Sequence, residues 1–82
     1  MNELIKQSFE EALNINKKES DKLNEASSIN TVPGWDSLGH LRLIAALEKR
    51  FGIKISVLEA IELINVTEVE KMLKNKGVSL GK

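Results

Sequence analysis

Gly34-Trp35-Asp36-Ser37-Leu38-Gly39-His40-Leu41-Arg42-Leu43-Ile44-Ala45-Ala46-Leu47-Glu48-Lys49-Arg50-Phe51-Gly52 is the stretch on which the fold turns. Leu38, Leu41, Ile44, Ala45, Leu47 and Phe51 fall in one broad sector of a helical projection, and Leu43 widens it. Arg42, Lys49 and Arg50 fall mostly on the other side. That pattern predicts an amphipathic helix over 37–51. Asp36 suits its N-cap, because a carboxylate there accepts from the free N–H groups of the first turn. Gly52 directly after Phe51 is a typical helix stop, since glycine enters the left-handed region at little cost. Pro33 and Gly34 keep the chain before it out of helix.

Upstream, residues 2–15 read as a helix with Asn2 as N-cap and Glu3 favourable to the dipole in the first turn. Leu4, Ile5, Phe9, Ala12 and Leu13 share its apolar face. Residues 16–36 are rich in Asn, Ser, Lys and acidic side chains and read as a loop. A connection of that length is unusual in a compact domain and often carries function. Downstream, Ile53, Ile55 and Val57 alternate with polar residues. No second strand exists to pair with them, so the segment is expected to be an extended connector. A short helix over 57–63 follows, capped by Ser56. Asn65 and Val66 are expected to break it. Thr67 with Glu70 has the form of a capping box and predicts a last helix over 67–76, with Val69, Met72 and Leu73 inward. The expected architecture is all-α: one domain over 1–82, a four-helix bundle with a long first loop and a short third helix.

The 82 residues suffice for one small core but not for a deep catalytic pocket as well. Twelve basic residues balance twelve acidic ones, which argues against a dedicated nucleic-acid binder. Cysteine is absent, which excludes disulfides, thiolate chemistry and cysteine-based zinc sites. If the protein handles thioesters, a cofactor must supply the sulfur. No apolar run approaches a membrane span and no signal pattern is seen, so stable membrane insertion is not expected and the cytoplasm is the expected location.

Asp36-Ser37-Leu38 places a hydroxyl at the first turn of an amphipathic helix, beside a carboxylate. A phosphate on Ser37 would meet unpaired N–H groups and the positive end of the helix dipole. On local chemistry alone the commoner explanation is that Asp36 or Ser37 merely caps the helix.

The run from Asp36-Ser37-Leu38 to Glu48, Phe51-Gly52-Ile53 and Ile55 resembles the acyl carrier protein family, and the likeness spans nearly the whole chain. The resemblance implies that Ser37 is the attachment point of 4′-phosphopantetheine, transferred from coenzyme A by a phosphopantetheinyl transferase, making the working form a phosphoprotein. Asp36 matches the family position that helps bind the transferase's magnesium, a transient role and not a metal site of the resting protein. Leu38 matches a position that packs near the arm and contacts partners. The arm's thiol would hold acyl or aminoacyl groups for a loading ligase or acyltransferase, a ketosynthase or other acyl-processing enzymes. The protein itself is then a monomeric carrier and not an enzyme. Fatty acid, polyketide and specialised lipid biosynthesis are the pathways the resemblance opens.

The well-known fatty-acid-synthesis carriers bear several carboxylates along this helix. Here it shows His40, Arg42, Lys49 and Arg50, with Glu48 as its only internal carboxylate and Gly39 where those carriers usually have an acidic residue. Steering by a basic partner should be weak. A specialised stand-alone carrier is therefore expected. His40 either flanks the arm or is a half-buried residue hydrogen-bonded to the loop. Trp35 reads as a hydrophobic clamp on the loop, and Met72 as core.

Rival functions are weaker. Gly34-Trp35-Asp36-Ser37-Leu38-Gly39 has one residue too many for a hydrolase nucleophile elbow, and no strand precedes it. The loop is too long for a helix-turn-helix. An unmodified helical protein-interaction module is the main alternative.

Overall fold

Asn2 opens the first helix: its Oδ1 accepts from the N–H of Leu4 at 2.8 Å and of Ile5 at 3.1 Å. The computed structural model describes residues 1–80, so the last two positions of the expected 1–82 domain lie outside the described residues. The helices, in chain order, are α1 (Glu3–Leu13), α2 (Lys17–Ser20), α3 (Ser37–Phe51), α4 (Val57–Glu62) and α5 (Val66–Asn75). No strand forms among the described residues, and the all-α expectation holds. None of the helices is long and apolar enough to cross a membrane.

α1 is shorter than its expected span of 2–15. Asn14 turns left-handed (φ 56°), and the Ile15 N–H returns to the Glu10 carbonyl at 3.3 Å, which closes the helix. α1 lies chiefly against α3. Ile5, Phe9, Ala12 and Leu13 join Leu43, Ala46 and Leu47 in one core cluster, completed by Trp35, Leu63 and the α5 residues Val66, Val69, Met72 and Leu73.

The buried stripe of α3 is Gly39, Leu43, Ala46 and Leu47, spaced at four, seven and eight residues from its start. This corrects the wider sector expected from sequence. Leu38 and Leu41 are 56% and 68% exposed and do not belong to the core. Arg50 is also turned differently from expectation. It reaches α1, with Nη2 donating to Glu11 Oε1 at 2.7 Å and Nη1 to Gln7 Oε1 at 3.4 Å.

The long loop is not structureless, a second correction. Asn16 and Glu19 form a reciprocal capping box that starts α2, a single helical turn. The buried Ser20 donates to Glu10 Oε2 on α1 at 2.5 Å, and Lys6 pairs with Asp21 at 2.6 Å. Farther on, the Ile29 N–H donates to the Ile64 carbonyl at 2.9 Å and the Val66 N–H to the Ser27 carbonyl at 3.0 Å. The loop is thus tied to α1 at one end and to the start of α5 at the other.

α5 begins one residue before the expected 67. Asn65 does not break a helix but caps this one, its Oδ1 accepting from the Glu68 N–H at 2.8 Å. Thr67 lies inside the first turn, where its hydroxyl donates to the Glu25 carbonyl of the loop at 3.0 Å. α4 ends at Glu62, one residue short of expectation, and starts as expected with Ser56 and Glu59 in a capping box. No α4 residue is buried. The helix is held by Leu63 just beyond its end, by Lys76 on Glu59 at 2.9 Å, and through the connector, where the Ile55 N–H donates to Glu48 Oε2 at 2.8 Å.

Candidate functional site

The site begins with the loop that delivers Ser37. Trp35 is 1% exposed and meets the edge of Phe9 with ring centroids 4.9 Å apart, so it clamps the loop to α1. Its backbone N–H donates to the Val32 carbonyl at 2.9 Å, and its carbonyl accepts from the Asn30 N–H at 2.7 Å. Gly34 follows a left-handed path (φ 84°) against the Leu13 carbonyl, a place where a Cβ would be both strained and crowded. A Cβ on Gly39 would in turn overlap the Gly34 carbonyl oxygen. These contacts fix where α3 starts.

Asp36 is the N-cap, extended in backbone, with Oδ1 accepting from the Gly39 N–H at 2.9 Å. Ser37 is the first helical residue, and Asp36, Ser37 and Leu38 are all exposed. Side chains on a helix lean toward its N-terminus, so the Ser37 hydroxyl projects past the helix end toward solvent. A phosphodiester there fits: it meets first-turn N–H groups and the positive dipole end, worth about 0.3–1 kcal/mol.

No side chain among the described residues is hydrogen-bonded to Ser37 Oγ. His40 is committed elsewhere. Its Nδ1 accepts from Trp35 Nε1–H at 3.0 Å, and its Nε2 lies 2.8 Å from the Ala60 carbonyl of α4. Of the two readings of His40, the structure shows the half-buried residue bonded to the loop. The Ala60 partner, twenty residues on, had no signal in the sequence. The described residues hold no cluster of three or more metal-ligating side chains.

Beyond Ser37, a groove of about 410 Å³ runs between α3 and α4, lined by Leu41, Ile44, Ala45, Val57, Ala60 and Ile61. Beside it Leu38, Leu41, Val57, Leu58 and Ile61 stand 56–77% exposed. Apolar exposure of this kind is common at interaction surfaces. The broad apolar sector expected of α3 includes Leu38 and Leu41, and periodicity does not separate an exposed apolar face from a buried one.

A search of the curated proteins finds no match to this chain. The family model of the phosphopantetheine attachment site matches residues 3–73, from the start of α1 into α5. That span covers most of the chain and includes the Trp35 clamp, the cap at Asp36 and the groove. The chain therefore belongs to the phosphopantetheine-binding carrier family, that of the acyl carrier proteins, and 4′-phosphopantetheine is its covalent cofactor.

Proposed function

We propose that Ser37 Oγ is the attachment atom and that the protein carries acyl or aminoacyl thioesters for a specialised pathway. The observation that carries this reading is an exposed hydroxyl on the first residue of α3, within the family match. With no base of its own, Ser37 needs a phosphopantetheinyl transferase. Its oxygen forms the new bond to phosphorus, its proton passes to the transferase or to water, and the 3′,5′-bisphosphorylated adenosine of coenzyme A leaves. Asp36 lies beside it, exposed, to share the transferase's magnesium during that step. The bound arm supplies the terminal thiol that this cysteine-free chain lacks.

The groove between α3 and α4, whose lining begins at His40, one helical turn after Ser37, gives an apolar cargo partial shelter. Each CH₂ removed from water contributes about 0.8 kcal/mol, enough to favour seating and small enough to allow release to a partner enzyme. Leu38, Leu41, Leu58 and Ile61 form the face that a loading ligase, acyltransferase or ketosynthase would meet. The exposed charge on α3 is basic, Arg42 and Lys49, whereas Glu48 is turned to the Ile55 N–H. This face does not suit a partner whose docking surface is itself basic. It supports a specialised carrier in place of the acidic carrier of general fatty acid synthesis.

The test is intact mass after incubation with coenzyme A and a broad-specificity transferase. The wild-type chain should gain one phosphopantetheinyl group and Ser37→Ala none. No addition to the wild type would favour an unmodified interaction module. Efficient replacement of an acidic carrier in a standard ketosynthase assay would count against the specialised role.

A further inference from the structure

Four elements of the bundle are joined through one imidazole. Phe9 of α1 supports Trp35 of the loop, Trp35 donates to His40 of α3, and His40 reaches the Ala60 carbonyl near the end of α4. The indole and imidazole planes lie within 15° of each other. The bonding partners determine the proton's place. Indole Nε1 is a donor only, so the Nδ1 it faces must be bare. A carbonyl oxygen is an acceptor only, so the Nε2 it faces must carry the hydrogen. One neutral tautomer satisfies both bonds. The imidazolium would set Nδ1–H against the indole N–H and leave a buried donor unpaired.

We propose that His40, as its Nε2–H tautomer, is a positioning residue that holds α4 in register with the Ser37 loop. Few other contacts fix α4: it buries none of its own residues, and its flanks are held by Leu63, the Lys76–Glu59 pair and the connector bond to Glu48. The groove walls formed by Val57, Ala60 and Ile61 therefore move with the His40 bridge. The same imidazole lines that groove beside Leu41 and Ile44.

The charged groups on the surrounding elements are engaged or exposed. Asp36 accepts from the Gly39 N–H, Glu48 from the Ile55 N–H, and Glu59 from the Ser56 N–H and Lys76. On α1, Glu3, Glu10 and Glu11 are directed to Lys17, Ser20 and Arg50. Glu62 on α4 and Arg42 on α3 are exposed. None is hydrogen-bonded to the imidazole, so the direct partners His40 would lose or keep are Trp35 and Ala60.

The experiment compares the unmodified wild-type chain with His40→Asn and His40→Ala by ¹H–¹⁵N NMR at one neutral pH. Trp35 is the only tryptophan and His40 the only histidine, so each ring signal is unique. The expected result in the wild type is the Nε2–H tautomer and a slowly exchanging indole N–H. In His40→Ala the indole N–H and the Ala60 and Ile61 amides should shift together, and indole exchange should quicken about tenfold, as loss of one hydrogen bond implies. His40→Asn keeps an acceptor near the Nδ1 position and should retain indole protection. An Nδ1–H tautomer in the wild type, or indole exchange that stays the same in His40→Ala, would overturn the proposal. So would loss of indole protection in His40→Asn equal to that in His40→Ala. The tautomer measurement stands even where a variant fails to fold. All of these readouts use unmodified protein, so their failure is separate from any failure of Ser37 to accept its arm.

Discussion

Gly39 of α3 is packed so closely against the carbonyl of Gly34 that no methyl group fits between them. This contact sets the distance between the turn at Gly34 and the helix that follows it. In an open helix interior, replacing glycine by alanine would stabilise by about 1 kcal/mol. Here the obstruction is backbone, itself pressed against Leu13, and cannot swing aside. Gly39→Ala should therefore destabilise by about 1–3 kcal/mol in urea unfolding. A neutral or stabilising result would mean that the loop yields and does not fix the helix start.

Asp36 has a structural and a proposed chemical task, and two substitutions separate them. Asp36→Ala removes the cap on Gly39 and should cost about 0.5–2 kcal/mol of stability. Asp36→Asn retains a capping oxygen and should cost little in urea unfolding. Both should slow phosphopantetheine transfer if the carboxylate's charge serves the transferase's magnesium. Normal transfer in Asp36→Asn would assign the residue to capping alone.

Leu41 is 68% exposed, so Leu41→Ala should leave stability within about 0.5 kcal/mol. If the apolar face of α3 and α4 is where enzymes dock, the same change should raise the KM of a broad-specificity transferase severalfold and leave kcat nearly unchanged. A large loss of stability with unaltered KM would give Leu41 a packing role instead.

Acid should loosen α4 through its cap. The Ser56 backbone N–H, followed by Lys76, holds the Glu59 carboxyl below its usual range. A carboxylate depressed in the folded state adds stability above its unfolded pKa and loses it as pH falls through the folded value. Asp21 behaves alike, lowered chiefly by its hydrogen bond from Lys6, while Lys6 is raised chiefly by Asp21. The lysine's share is present below its unfolded pKa and fades as pH rises through the folded one. Urea midpoints of wild type and Glu59→Gln should differ at neutral pH and converge below the usual carboxylate range. A constant gap would show that the ionised carboxylate contributes nothing at that cap.

Much of this arrangement is legible in the chain because it depends on local chemistry. Asn2, Asp36 and Ser56 each accept from an N–H within three residues, and Gly52 stops α3 at a left-handed turn, so short sequence windows contain the information. The Asn16–Glu19 capping box was equally local, but four polar residues without an apolar face give no period to find. The start of α5 was misplaced because two capping patterns overlap there. The loop decides between them by taking the Thr67 hydroxyl for Glu25. The orientation of α3 was ambiguous for another reason. It is apolar toward α1 and apolar again at Leu38 and Leu41, and periodicity cannot distinguish burial by the chain itself from an exposed face. The His40–Ala60 bond and the Gly34–Gly39 contact depend on how the loop folds back, which no spacing specifies.

The central claim is that one serine oxygen holds the arm, and fragmentation mass spectrometry of the proteolysed, modified chain tests it most directly. The account predicts that the phosphopantetheinyl mass resides on Ser37 within the peptide that spans Trp35 and Leu38. The same mass on any other residue, or its persistence in Ser37→Ala, would contradict it.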